Sequence, residues 1–224
     1  MSTPPLRTDR LDLEPVSPAH ADEMVDLLAD RRLYAYYDDE ASPTLDELRL
    51  RYARQAAGGS PDGLEVWHTW IARERASASA CGFVQATVRV DDTGRAVAEL
   101  AWVIGSAYQG RGYAREAAAG VRDAVTGAGS VSGDDAEVVV AHIAPGHVAS
   151  ESVARGIGLA LTDVIHEGER RWQLPASQAR PPRARNRRSS RNPRRSACIR
   201  AVTTDGPTAR YLDVETSGVR SSYG

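Results

Sequence analysis

Two glycines flank an arginine at the predicted start of a helix, within residues 109–114. Gly110 and Gly112 let a ligand approach the backbone closely, because neither residue has a Cβ atom. The first N–H groups of a helix lack intrahelical partners and lie at the positive end of its dipole, so they suit a phosphate. Arg111 adds a fixed positive charge. The spacing predicts a phosphate cradle, although a turn of this composition can also simply join a strand to a helix.

Two common nucleotide-binding motifs do not describe this segment. The dinucleotide fingerprint G-x-G-x-x-G needs a third glycine, and Arg115 occupies that place. The Walker loop needs a lysine, and the chain contains none. The segment therefore points to another kind of phosphate-binding turn.

The surrounding sequence predicts alternating strands and helices that would position this turn. Ser17 and Pro18 are typical of a helix start, and Asp91 to Gly94 of a hairpin turn. Residues 33–37 are compatible with a loop or a short helix. The order of elements predicts a mixed sheet with helices against it, in the α/β (α+β) class. The predicted strands are 11–16, 66–72, 82–90, 96–104, 137–143, 161–165 and 170–174, and the predicted helices are 18–30, 44–56, 111–125 and 149–156.

The glycine segment and its flanks resemble the GNAT superfamily of acetyl-CoA-dependent N-acetyltransferases. Residues 109–114 match the Q/R-x-x-G-x-G/A signature of that family, and residues 147–159 echo its second motif, N-x-x-S-x-x-V-x-x-x-x-G-L/F. The resemblance covers residues 6–174 and implies a mostly antiparallel central sheet of six to seven strands flanked by about four helices. Residues 6–11, 99–104 and 113–117 are similar to the branch that acetylates ribosomal-protein N-termini.

The resemblance implies that acetyl-CoA is the co-substrate, and we expect no metal. The diphosphate is expected on the backbone N–H groups of residues 109–114. The pantetheine arm is expected to pair with the end of the preceding strand, and an N–H near Ile104 to polarise the thioester carbonyl. The cofactor-binding residues so implied are Trp102, Val103, Ile104, Gln109, Gly110, Arg111, Gly112, Tyr113, Ala114, His147 and Ser150.

Glu99 is the candidate general base and Ser150 the candidate general acid. Strand alternation places Glu99 on one face with Val97, Ala101 and Val103, whose apolar side chains disfavour a charge. Ser150 matches the serine of the second family motif. Each residue also has a structural interpretation: Glu99 as a strand carboxylate with a structural partner, and Ser150 as a helix cap or a cofactor contact.

The second motif departs from the family pattern at two positions. His147 replaces the usual asparagine, and its imidazole can still make one hydrogen bond or transfer a proton. Ala154 stands where many members have a tyrosine acid, which excludes a tyrosine acid at that position. The remaining histidines show no metal-ligand spacing, so we expect surface or core roles for them. They are His20, His68, His142 and His166.

Charge divides the chain near Pro175. Residues 1–175 carry 17 Arg against 27 acidic residues, and residues 176–224 carry 11 Arg against 3. The sequence predicts an N-acetyltransferase domain over 1–175 and an Arg-rich tail over 176–224. The tail is compatible with disorder, with an arm that binds RNA or DNA phosphates, or with a shifted reading frame.

Composition also limits the setting and the chemistry. No stretch of 18 apolar residues is present, and the N-terminus lacks a secretory signal, so we expect a cytoplasmic protein without membrane contact. Two cysteines cannot form a disulfide framework. No activated Cys or Ser motif is visible, which favours direct transfer in a ternary complex over a covalent intermediate.

The acceptor remains a class rather than a compound. The acidic domain favours a cationic amine, such as a protein N-terminus, a polyamine or an aminoglycoside. Four tyrosines are expected to border the acceptor site or to pack in the core: Tyr34, Tyr36, Tyr37 and Tyr52.

Two alternatives stay open. The protein can be a monomer or a homodimer. The alternative function is a catalytically weak acetyl-CoA-binding regulatory module with a nucleic-acid-binding tail.

Overall fold

The computed structural model describes residues 3–36, 42–127 and 136–175; the predicted tail and Tyr37 lie outside these ranges. One eight-stranded sheet has the order β1-β2-β3-β4-β5-β6-β8-β7. All neighbouring strands pair antiparallel except β5 and β6, which are parallel. The strands are β1 Leu6–Arg7, β2 Leu11–Pro15, β3 Glu65–Glu74, β4 Ser79–Val90, β5 Ala96–Ile104, β6 Val138–Ile143, β7 Ala160–His166 and β8 Glu169–Gln173. The α-helices are α1 Ala21–Leu28, α2 Leu45–Ala57, α3 Tyr113–Thr126 and α4 Val148–Gly156.

The helices cover opposite faces of the sheet. Helices α3 and α4 share one apolar core, in which Leu100 of β5 is packed with Val121 and Ile157. Helices α1 and α2 share the other, in which Met24 and Leu48 are packed against the opposite side of the strands. Because side chains alternate along a strand, Leu100 and Ile104 of β5 pack in the first core, and Val103 between them packs against the second.

Helix α2 shows how the local sequence sets an element. The Thr44 hydroxyl accepts from the backbone N–H of Glu47, and the Glu47 carboxylate accepts from the Thr44 N–H, which forms a capping box. Leu48 and Tyr52 lie four residues apart and are both buried. The helix ends at Gly58, whose φ of 82° lies in the left-handed region that a glycine reaches easily.

The predicted fold class is confirmed, with two differences in detail. The sheet has an eighth strand, Leu6–Arg7, which exists through pairing with Leu13 and Asp12. The predicted helix 18–30 is a 3₁₀ turn over Pro18–His20 followed by α1, and Arg31–Tyr34 form another 3₁₀ turn. Within the described residues, no helix has both the length and the apolar character needed to cross a bilayer.

Candidate functional site

Strands β5 and β6 diverge partway along their length. Their parallel pairing covers three positions and ends where Glu99 lies opposite Val140. Beyond this point β5 continues to Ile104 and β6 to Ile143, with no pairing between them among the described strands. The edge of β5 from Leu100 onward therefore offers N–H and C=O groups to a strand-like ligand.

The three residues implied as pantetheine contacts line this gap. Trp102 and Val103 are half-buried beside it, and Ile104 is buried at its far end. The side-chain amide of Gln109 donates to the carbonyl of Ile104 over 2.9 Å. This hydrogen bond ties the start of the glycine segment to the end of β5, so the gap and the segment form one continuous surface.

The glycine segment leads directly into α3 and leaves its N-terminus open. Gly110 has a φ of 76° and Gly112 a φ of 81°, both in the left-handed region. No side chain caps α3, which begins with Tyr113 and Ala114. A Cβ atom built on Gly110 would meet nothing within 4 Å. The amides at this helix start are thus accessible at the positive end of the helix dipole, as a phosphate requires.

Two arginines border the segment, of which sequence reasoning identified one. Arg111 is half-exposed and lies 3.6 Å from Glu74. Arg10 immediately precedes β2. Its Nη1 donates to the carbonyl of Arg111 over 2.9 Å, and its guanidinium pairs with Glu116 over 2.7 Å. Its Nη2 lies 3.5 Å from the Cβ position of Gly112. Arg10 therefore places a guanidinium, paired with Glu116, beside the glycine segment, and only the three-dimensional fold brings it there.

A carboxylate–imidazole pair lies where the two strands separate. Oε1 of Glu99 is 2.6 Å from Nδ1 of His142, and both side chains are only 4% exposed. Glu99 is in register with Val140, so His142, two residues further along β6, lies on the same face. Sequence reasoning gave His142 a surface or core role; the parallel register that pairs it with Glu99 is not visible in local sequence patterns.

His147 and Ser150 meet at the start of α4. Nδ1 of His147 accepts from the backbone N–H of Ser150 over 3.3 Å, and its Nε2 lies 3.4 Å from the Ser150 hydroxyl. Burial lowers the pKa of His147, which keeps its ring neutral near pH 7. The Tyr36 ring stacks on this imidazole with centroids 4.1 Å apart. His147 thus takes over the capping role of an asparagine side chain.

The structure separates the tyrosines of the first two helical segments. Tyr34 is buried and donates to the carbonyl of Leu28, and Tyr52 is 2% exposed in the core beneath α2. Tyr36 is exposed to solvent, and its ring stacks on that of His147. Of the tyrosines that the structure describes in this region, Tyr36 is therefore the one placed at the candidate site. Ala154, at the position of the family tyrosine, is fully buried.

The described residues contain neither a metal centre nor an activated thiol. Within 3–36, 42–127 and 136–175, no group of three His, Cys, Asp or Glu side chains is arranged to hold a metal ion. The Cys81 thiol is buried and donates to the carbonyl of Ala72. Burial raises its pKa to about 11, so it is not a ready nucleophile.

Comparison with known proteins gives a consistent result. The profile of the acetyltransferase (GNAT) domain matches residues 10–160. A search among curated proteins returns no significant match. A GNAT-family acetyltransferase from Bacillus anthracis superposes with a TM-score of 0.61 at 14% identity, covering 78% of this chain and 100% of that chain.

Two further solved structures show the same fold. RimL, a ribosomal alpha-N-protein acetyltransferase in complex with coenzyme A, has a TM-score of 0.57 at 13% identity and covers 78% of this chain and 100% of its own. A spermidine N-acetyltransferase chimera from Vibrio cholerae and hSSAT has a TM-score of 0.56 at 17% identity, with 76% and 98% covered. At these identities the structures support the fold, while the domain match covers most of the chain. The chain therefore belongs to the GNAT family of acetyltransferases.

Proposed function

We propose that this protein transfers the acetyl group of acetyl-CoA directly to a primary amine in a ternary complex. One observation carries the proposal: the open N-terminus of α3 continues into the unpaired edge of β5, which ends at the buried carboxylate of Glu99. A diphosphate, an extended amide-bearing arm and a thioester occur in that order along acetyl-CoA. The surface offers a partner for each in the same order.

The proposed binding mode uses mainly backbone groups. The N–H groups of residues 109–114 would hold the diphosphate, with Arg111 and Arg10 contributing positive charge. The edge of β5 at Trp102–Ile104 would pair with the amides of the pantetheine arm. His147 and Ser150 would contact the arm from the start of α4, on the opposite side of the gap.

The transfer requires a neutral amine, because an ammonium has no lone pair. In the proposed reaction the amine nitrogen attacks the thioester carbon, its proton is drawn away through Glu99, and the C–S bond breaks. Ser150 would supply a proton to the departing sulfur, and a backbone N–H near Ile104 would stabilise the oxyanion. Holding both substrates in one gap supplies much of the rate gain. Among the described residues, the buried thiol of Cys81 has a raised pKa and is a poor nucleophile. This supports direct transfer over a covalent intermediate.

A cationic amine is the proposed acceptor. The excess of acidic over basic residues in 1–175 attracts such a substrate. Among the structural neighbours, one acts on a protein N-terminus and one on spermidine by their descriptions. Both substrates present a primary amine that is protonated in water near pH 7.

The test is thiol release from acetyl-CoA with a panel of amines, followed by mass spectrometry of the products. The panel should contain N-terminal peptides of basic proteins, polyamines and aminoglycosides. We expect thiol release to depend on one class of amine, and we expect that amine to be recovered with the added mass of one acetyl group. Tight acetyl-CoA binding without turnover on any amine would instead favour a regulatory acetyl-CoA-binding module.

A further inference from the structure

The contact between Glu99 and His142 engages one ring nitrogen, Nδ1, and bears on which nitrogen carries a proton. When Glu99 is ionised its carboxylate can only accept a hydrogen bond, and Nδ1 of His142 then donates to Oε1 of Glu99 over their 2.6 Å separation. A neutral ring protonated at Nδ1 keeps its lone pair on Nε2. The hydrogen bonds of the described residues engage Nδ1 of this ring and leave Nε2 available as a base.

The position of the ring makes this lone pair relevant to the reaction. Pairing between β5 and β6 ends at Glu99 and Val140, and His142 follows in the unpaired half of β6. Ala101 follows Glu99 by two residues on β5, as His142 follows Val140 on β6, so continuation of the register places Ala101 across the gap from His142. The ring thus borders the end of the gap where the thioester would lie.

We infer that His142 takes the proton from the attacking amine at Nε2, and that Glu99 is the positioning residue that orients the ring and stabilises its charged form. This inference rests on the proposed function and refines the part that Glu99 plays in it. As the C–N bond forms, the amine N–H bond breaks and the proton joins Nε2. The C–S electron pair leaves with the sulfur, which is protonated by solvent or by Ser150, whose hydroxyl then regains a proton from solvent. The imidazolium then returns its proton to solvent.

Titratable and charged groups on β7 and β8 lie near the pair. Glu99 on β5 and Glu169 on β8 are the carboxyl neighbours of the ring, and burial raises the pKa of Glu169, which favours its neutral form. Arg171, the register partner of His142 on β8, supplies one opposing positive charge. The exposed ring of His166 on β7 lies 5.0 Å from His142, centroid to centroid. His166 offers a path by which the proton can reach solvent.

The experiment compares His142→Gln, Glu99→Gln and the double variant by kcat for thiol release across pH, together with acetyl-CoA affinity. A general base contributes about 10²- to 10⁴-fold, so we expect a loss of kcat of about that size in His142→Gln near neutral pH. The loss should shrink at alkaline pH, and the double variant should be no slower than the slower single one, because the pair acts as a unit. His142→Gly should recover activity with added imidazole.

The control variant is His68→Gln. His68 is fully buried on β3. Because side chains alternate along a strand, it lies on the opposite face of the sheet from its neighbour Thr69, whose hydroxyl contacts the Gln85 side chain. Its replacement removes a buried imidazole without touching the Glu99 pair, so kcat should stay at the wild-type level.

Each outcome decides one question. An active wild type with an unchanged His142→Gln pH profile overturns the inference and leaves the proposed function standing. A wild type that acetylates no amine overturns the proposed function itself. Should His142→Gln fail to fold, nitrogen NMR of the wild-type imidazole decides the point: a proton on Nδ1 supports the inference, and a neutral ring protonated on Nε2 contradicts it.

Discussion

Replacing Gly112 by aspartate should abolish acetyl-CoA binding at micromolar concentrations while leaving the fold intact. The residue has a φ of 81°, so any L side chain there is strained by about 1–2 kcal/mol. The carboxylate would also stand at the N-terminus of α3, where the diphosphate is proposed to bind. Two unit charges about 5 Å apart repel by about 3 kcal/mol at an effective dielectric constant of about 20. This energy corresponds to roughly 100-fold weaker binding.

Gly94 provides a matched control for the backbone strain. Its φ is 82°, it lies in the hairpin turn at the other end of β5, and a Cβ atom there would meet nothing within 4 Å. Gly94→Asp should therefore lower thermal stability about as much as Gly112→Asp and leave acetyl-CoA affinity unchanged. Calorimetric titration of both variants measures the affinity. Equal affinities for the two would refute the assignment of the cradle.

Three further predictions address the base, the fold and the tail. Glu99→Gln should lower turnover near neutral pH and recover at alkaline pH, where free amine is abundant; a flat pH response in thiol release would remove Glu99 from proton transfer. Burial raises the pKa of Glu116, but hydrogen bonds from Thr8 and Arg10 outweigh it and hold that pKa below its ordinary 4.5. The stability that Glu116 adds is thus present above that pH and lost as pH falls through the lowered pKa. Glu116→Gln should accordingly reduce stability near pH 7 by roughly 2 kcal/mol, with the difference narrowing in acid during urea unfolding. Deleting residues 176–224 should leave the melting temperature and acetyl-CoA affinity unchanged, and loss of either would show that the tail is integral.

Local sequence patterns predict the elements of this fold well, and long-range pairing explains where they fail. Alternation and helical periodicity identify seven strands and four helices in the observed order. Strand β1 has only two residues, Leu6 and Arg7, which is too short for alternation to register. It forms because β2 supplies partners at Leu13 and Asp12.

The start of α1 illustrates a different limit. The periodicity of its apolar residues predicts a helix from residue 18. In the structure the His20 ring accepts from the backbone N–H of Ser17, and this contact accompanies a 3₁₀ turn before the α-helix begins at Ala21. Propensity and periodicity do not distinguish a 3₁₀ turn from the first turn of an α-helix.

The candidate site divides in the same way. The proposed cradle is contiguous in sequence, so the glycines at 110 and 112 are sufficient to predict it. His142 and Arg10 reach the site from other strands, and their places depend on register and on side-chain reach. His142 lies two residues beyond Val140, the register partner of Glu99. Its place beside Glu99 can be inferred only when the parallel pairing of β5 and β6 is known.

The most direct test of the account compares acetyl-CoA with S-acetyl-pantetheine, which has the same thioester arm but no diphosphate, by isothermal titration calorimetry on the full chain. If the α3 N-terminus holds the diphosphate, acetyl-CoA should bind at one site per chain and S-acetyl-pantetheine at least about 100-fold more weakly. Equal affinity for the two compounds, or no heat from acetyl-CoA with folded protein, would contradict the proposed cradle.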